Sequence, residues 1–262
     1  SGVADMLDSL RAEGYKVSRR PYLWITLLVV AGLELLLVLM WAWFNGDMIH
    51  MTVADGLLML LYLLTMGYYA AGITTDMVFS DQYKHNTLKN EVAAGIPRYR
   101  IYLGKLLAGS GLSIVACVVL LGWYALLCAL MLPGSGELTE ALETVGFALL
   151  CALPVWLGAQ SLYTMCLFTI RGSVAATLVS VGIVALLGQV FTFLSLLLAL
   201  QAPGLADLLF KLRDFLLTSP LENIMDAIGD WSRVAWAWAV GAGWCFGTTV
   251  LGLWQFGRKE IN

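Results

Sequence analysis

Residues 76–105 read DMVFSDQYKHNTLKNEVAAGIPRYRIYLGK, and the placement of this stretch decides the fold. It is a long polar interruption with a dense cluster of positive charge: Lys84, Lys89, Arg98, Arg100 and Lys105. Apolar runs long enough to cross a bilayer flank it on both sides. The positive-inside bias therefore puts it in the cytoplasm, between a descending and an ascending span.

Within the stretch, Asn86 or Thr87 caps a short helix through Leu88, Val92 and Ala93, which Gly95 ends and Pro97 keeps from continuing. The helix is about two turns long. Lys89, Asn90 and Glu91 are polar, while Leu88 and Val92, four apart, share one face. Such a helix suits a membrane-side knob docking into another protein. Leu88 and Val92 are expected to meet an apolar groove there, with Lys89 and Glu91 setting register at the rim.

The run NTLKNEVAAGIPRYRIYLGKLL resembles the cytoplasmic segment of ABC-2 type transporter permeases. In that family a Thr-(Leu/Ile)-Lys-Asn turn, a Gly, a small residue or Pro, an Arg, and an Ile-Tyr-Leu-x-Lys run follow the second span. The resemblance implies a coupling helix that sits on a separate ATPase, with Thr87, Leu88, Lys89, Asn90, Glu91, Val92 and Gly95 as the coupling residues. It also implies two permease copies, or one copy and a homologue, and ATP and Mg bound in the partner ATPase with no cofactor in this chain. Typical family cargoes are peptide antibiotics, lipid-linked molecules and drugs, and the chain is similar to the small six-span immunity permeases of peptide-antibiotic resistance.

Composition agrees with a membrane protein. Of 262 residues, 60% are hydrophobic and 13% charged, with a mean hydropathy of +0.82, against ~45–50% apolar in soluble domains. The apolar residues come in blocks near the ~20 needed to span as helix, without the short alternation of an outer-membrane barrel. The net charge of −3 is sorted by membrane side and gives no sign of nucleic-acid binding. Cys117, Cys128, Cys151, Cys166 and Cys245 are scattered within spans with no CxxC, and read as small buried hydrophobes.

Taken in order, residues 1–20 are too charged to span and do not read as a signal peptide. Val3, Met6, Leu7, Leu10 and Tyr15 recur near helical period against Asp5, Asp8, Arg11 and Glu13, as in an interfacial helix lying on membrane lipid. Arg19-Arg20-Pro21 anchors a first span over 22–44. Further spans are expected over 52–73, 101–131, 145–170, 173–200 and 234–256, with a coupling segment over 76–100 and an acidic external loop carrying Glu137, Glu140 and Glu143. Residues 201–233 hold two pieces too short to cross, the second restarted by Ser219-Pro220 and ended by Gly229. They are expected as short external helices. Of fifteen Lys and Arg, only Lys211, Arg213 and Arg233 fall outside on this topology, which places both termini in the cytoplasm of a multi-pass cell-membrane protein.

An enzyme would need convergent nucleophiles, bases or metal ligands, and His50 and His85 fall on opposite sides. Gly104-Lys105 lacks the upstream glycine of a phosphate loop, so the chain is not read as hydrolysing ATP. Glu34 sits mid-span, where an ionised carboxylate costs at least ~2.5 kcal/mol unless paired or solvated, so it is either a functional candidate or a protonated acid hydrogen-bonded as glue between helices. With Trp123 and Trp156 it forms a candidate translocation path. Gln160 and Gln189 read as hydrogen-bonding glue between spans. Gly241, Gly243 and Gly247, and Ala108, Gly111 and Ala116, read as packing faces. The resulting fold is an all-α membrane protein with six transmembrane helices, and its function that of an exporter permease subunit. The alternative is an ion-gradient-driven secondary transporter using Glu34, which lacks the matched broken helices of such folds.

Overall fold

A computed structural model describes residues 2–46, 50–79, 87–134 and 136–258. Ser1, Lys84, His85, Asn86 and Lys259 lie outside the described residues, as do the side chains of Val3 and Asp5. The described elements are helices: α1 (Gly2–Ser18), α2 (Pro21–Phe44), α3 (Val53–Leu58), α4 (Leu60–Leu63), α5 (Met66–Phe79), α6 (Thr87–Ala93), α7 (Arg98–Met131), α8 (Leu138–Thr169), α9 (Ser173–Leu198), α10 (Pro203–Arg213) and α11 (Trp231–Arg258), with 3-10 turns at Ser219–Leu221 and Ile224–Ala227. The helices α2, α7, α8, α9 and α11 are each long and apolar enough to cross a membrane.

The sixth candidate crossing is a bent pair of helices. Between Val53–Leu63 and Met66–Phe79 the axis bends by 67°, where an unbroken span was expected over 52–73. At the break, Gly67 and Tyr68 donate back three residues, to the carbonyls of Leu64 and Thr65. Gly67 has no side chain to block the Trp156 indole of α8, which fills the inside of the bend; a Cβ on Gly67 would lie 2.2 Å from a ring carbon. Thr52 starts the run with a capping box to Asp55, whose carboxylate accepts from the Thr52 N–H at 2.9 Å.

The bundle is built around α8. Half of its most apolar stretch is buried, against 11% for α2 and for α9, so α8 is central and those two are peripheral. α11 packs closely on it because Gly241 lets its backbone approach the Pro154 carbonyl, which a Cβ would reach at 2.4 Å. Gly243, Gly247 and Gly111 are not used this way, having no such neighbour within 4 Å. In α7 the close approach falls instead on Gly109, against Gln160.

Two long helices exceed their expected bounds. Pro97 is already in place as N-cap of α7, which starts at Arg98 and runs 34 residues. At 1.5 Å per residue, about 51 Å, it outreaches a hydrocarbon core of ~30 Å and carries its base beyond the bilayer. α8 begins at Leu138, so Glu140 and Glu143 ride on its first turns and not in a loop. The expected helix after Ser219-Pro220 is only the pair of 3-10 turns.

Candidate functional site

At the end of the bundle that carries α6, three elements meet through charge. Lys105 of α7 has 1% side-chain exposure, and its Nζ lies 3.2 Å from Glu13 Oε1 of α1 and 3.7 Å from Glu91 Oε1 of α6. Lys16 of α1 reaches the same two oxygens at 2.9 and 3.5 Å. Cation and anion thus alternate around a closed ring of four residues. The Phe79 ring of α5 lies 6.0 Å from the Lys105 ammonium, adding an aromatic face. Burial pushes the Glu13 carboxyl up, but the charges of Lys105 and Lys16 and their hydrogen bonds outweigh it and hold the group below its ordinary 4.5. Burial likewise pulls the Lys16 ammonium down, and Glu13 and Glu91 more than reverse it.

Glu13 had been placed on the polar, outward face of α1. It is buried, together with Val17 one turn on, while the apolar Leu7 and Tyr15 are exposed, as are Asp8 and Arg11. The face of α1 that meets the protein is therefore centred on a carboxylate, which is tolerable only because Lys105 waits opposite it.

This ring fixes the orientation of α6. Leu88 and Val92, expected to meet a partner's groove, are half-buried against this chain's own core, and Glu91, expected at the rim, faces the two lysines. Lys89, Asn90 and Ala93 are the exposed positions, followed by Ala94, Gly95, Ile96 and Pro97. Thr87 begins the helix. Gly95 closes it at φ +80°, with its N–H donating to Val92 and that of Ile96 to Glu91. Just beyond, Arg98 donates to the carbonyls of Phe256 and Gly257 at 2.7 and 2.9 Å, capping the C-terminal end of α11. Arg20 donates to the Met77 carbonyl near the end of α5. Basic residues of this end thus fasten four helix ends to one another.

The three candidate path residues fall in two places. Trp123 donates its indole N–H to the Ala31 carbonyl at 3.2 Å, one turn before Glu34, so these two lie on the α2–α7 seam. Glu34 Oε2 is enclosed there with no hydrogen-bond partner among the described residues. Trp156 is elsewhere, donating to the Leu64 carbonyl at 3.0 Å in the bend of the broken span. Beneath it, Gln160 ties three helices. Its Oε1 accepts from Thr74 at 3.0 Å and Ser113 at 2.8 Å, and its Nε2 donates to Thr75 at 2.5 Å.

A pocket of about 530 Å³ does open beside the bend, toward the end of the bundle opposite α6. Thr65, Tyr68 and Tyr69 of the broken span face Gly188, Gln189 and Phe193 of α9 across it. Its far wall carries the Arg213–Glu222 ion pair, at 2.6 Å, on the segment after α9. Tyr68 bridges to that segment, donating to the Leu217 carbonyl at 2.7 Å. The pocket is a mostly apolar trough, lined by Val184, Phe193, Leu196 and Leu221, with polar groups on each wall: Thr65, Gln189 and the Arg213–Glu222 pair.

Sequence reading missed the ring and this pocket. For the ring one signal was available: Glu13, Lys105 and Glu91 are charges beside apolar runs, and buried charges are paired. For the pocket there was none, because its walls meet only through the bend.

No individual curated protein matches the chain. A family model described as ABC-2 family transporter protein matches residues 9–200, from within α1 to just past α9, and so takes in the ring, α6 and most of the pocket. With well over half of the 262 residues matched, the chain belongs to the ABC-2 family of transporter proteins, as a multi-pass membrane subunit.

Proposed function

We propose that this chain is the permease subunit of an ATP-driven exporter of the cell membrane, moving an amphipathic or hydrophobic cargo such as a peptide antibiotic, a lipid-linked molecule or a drug. The observation that carries the reading is α6 itself: a two-turn helix outside the bundle, seated by Glu91, Leu88 and Val92 and exposing Lys89, Asn90 and Ala93. A permease that binds no ATP feels hydrolysis only through a mechanical contact, and a seated helix with an exposed polar face supplies one.

On this reading α6 and both termini are cytoplasmic, α1 lies on the inner leaflet, and ATP and Mg belong to a separate ATPase. A second permease copy or a homologue completes the path. The pocket beside the broken span is the wall that meets cargo, since its apolar lining suits an apolar body and its Gln189, Arg213 and Glu222 a polar group. Family membership favours this over an ion-gradient mechanism through Glu34, and neither Glu34 nor Trp123 is among the residues that line that pocket.

The test is purification of the tagged chain from its own host in mild detergent, with identification of any partner by mass and sequence. A stoichiometric partner bearing a phosphate-binding loop, and cargo movement that stops when ATP is withheld, are the expected results. Uptake driven by a pH gradient with no ATPase present would overturn the proposal.

A further inference from the structure

We propose that the ring of Lys105, Glu13, Lys16 and Glu91 is the joint that makes α6, α1 and α7 one rigid piece, with Lys105 as the positioning residue through which a push on α6 reaches the membrane spans. The proposal rests on the exporter reading for its second half only.

The geometry supports it in three ways. First, α6 is held by little else. It is seven residues long, too short to be stable alone. None of its residues is fully buried, and beyond the ring its hold on the bundle among the described residues is the partial packing of Leu88 and Val92. Second, the ring is closed. Each of the two carboxylate oxygens serves both lysines, so displacing α6 strips Glu91 from Lys105 and Lys16 together. A displaced α6 must therefore drag α1 and α7 or leave a buried ammonium with half of its partners. Leaving a buried charge uncompensated is the costlier course, so the ring favours joint motion. Third, Lys105 stands on the helix that runs unbroken for 34 residues, whereas the neighbouring span is bent by 67° and would absorb a displacement. Force delivered at Lys105 has a stiff path along α7. Force delivered to α5 does not.

Charge alone would be met by other arrangements, but the burial gradient assigns the roles. Side-chain exposure rises from 1% at Lys105 through 10% at Glu13 and 19% at Glu91 to 48% at Lys16. Lys105 is the hub that solvent cannot replace, and Lys16 the corner that water and salt screen most.

The decisive comparison is Lys105→Met against Lys105→Arg. In the purified chain, hydrogen exchange of the α6 amides should speed up at least about tenfold in Lys105→Met and return toward wild type in Lys105→Arg. In the complex with the ATPase that co-purifies with the wild-type chain, Lys105→Met should leave the KM for ATP unchanged while cargo moved per ATP hydrolysed falls about tenfold. The arginine variant should restore it. Should Lys105→Met fail to fold, Glu91→Gln opens the same ring at a more exposed corner and carries the same expectations. Unchanged α6 exchange would overturn the joint. Faster exchange with undiminished coupling would reduce the ring to a stability device and overturn the positioning role. If the wild-type chain has no ATPase and needs no ATP, the exporter reading fails and the coupling role with it, while the exchange measurement still decides whether the ring seats α6.

Discussion

Glu13 and Lys105, 92 positions apart in the chain, meet at 3.2 Å in a place that excludes solvent from both. Because the folded Glu13 carboxyl titrates below its ordinary 4.5, the stability it contributes is present above that pH and is lost as pH falls through the folded value. The opposite limit belongs to Lys16, raised above 10.5, whose contribution is present below that pH and lost above the folded value. Between these limits the ring is intact. We therefore expect the difference in Tm between wild type and Glu13→Gln to hold steady from about pH 6 to 8 and to narrow in acid below 4.5. Thermal melts in detergent across that range check it, and a gap that persists unchanged to about pH 3 would show that the charge on Glu13 contributes nothing.

The broken span gives a second expectation. Trp156 donates to the Leu64 carbonyl at 3.0 Å, but that carbonyl also accepts from the Gly67 N–H at 3.1 Å. Trp156→Phe therefore leaves it satisfied once and should cost only about 1 kcal/mol. Gly67→Ala forces a methyl to within 2.2 Å of the indole and should cost about 1–3 kcal/mol by overpacking. The two residues share one contact, so the double variant Gly67→Ala with Trp156→Phe should be less unstable than the sum. Additive losses would mean that the indole does not hold the bend.

The apolar spans were legible because length and hydropathy alone fix them, and the stop at Gly95 and Pro97 because a left-handed glycine and a missing N–H act locally. The bend at Leu64 was not. No residue between Leu60 and Tyr69 is a proline or a charge that would announce a break. The period of α6 told that Leu88 and Val92 share a face, but period cannot tell which way a face looks. The side is settled by Glu91, whose partners Lys16 and Lys105 lie in other helices. Glu13 was misplaced for the same reason: a carboxylate reads as solvated until its partner, far along the chain, is known. Gln160 was legible as glue from its position mid-span, though its partners Thr74, Thr75 and Ser113 were not.

Those partners decide the cost of losing Gln160. Thr74 and Thr75 also donate to the Ala71 carbonyl, at 3.0 and 2.7 Å, and Ser113 pairs with Thr74 at 2.5 Å, so each hydroxyl keeps a second bond. Gln160→Leu should accordingly cost about 1 kcal/mol. Gln160→Glu should cost more, about 3 kcal/mol, because it puts an ionisable group where no cation waits. Denaturation midpoints of the two variants give the order, and a glutamate variant as stable as the leucine one would refute the reading.

The last expectation separates the two faces of α6. Leu88 packs inward, so Leu88→Asp should act on the permease first, loosening α6 and lowering its own stability by about 1–2 kcal/mol through lost apolar burial and a desolvated charge. Any loss of ATPase follows from that. Lys89 and Asn90 look away from the bundle, so Lys89→Glu should leave the melting temperature within the small range of surface changes, about 0.5 kcal/mol. If the exposed face is the contact, the same change nevertheless weakens capture of the ATPase, by reversing a charge at an interface. Leu138→Asp, at the start of α8 and the far end of the bundle, is the control and should leave capture unchanged. Pull-down of the ATPase alongside a thermal melt of each variant distinguishes the cases. A Lys89 variant that captures the ATPase as wild type does, beside a Leu88 variant that loses it without any change in its own melting, would restore the inward pair as the direct contact and show that α6 turns over when the partner binds.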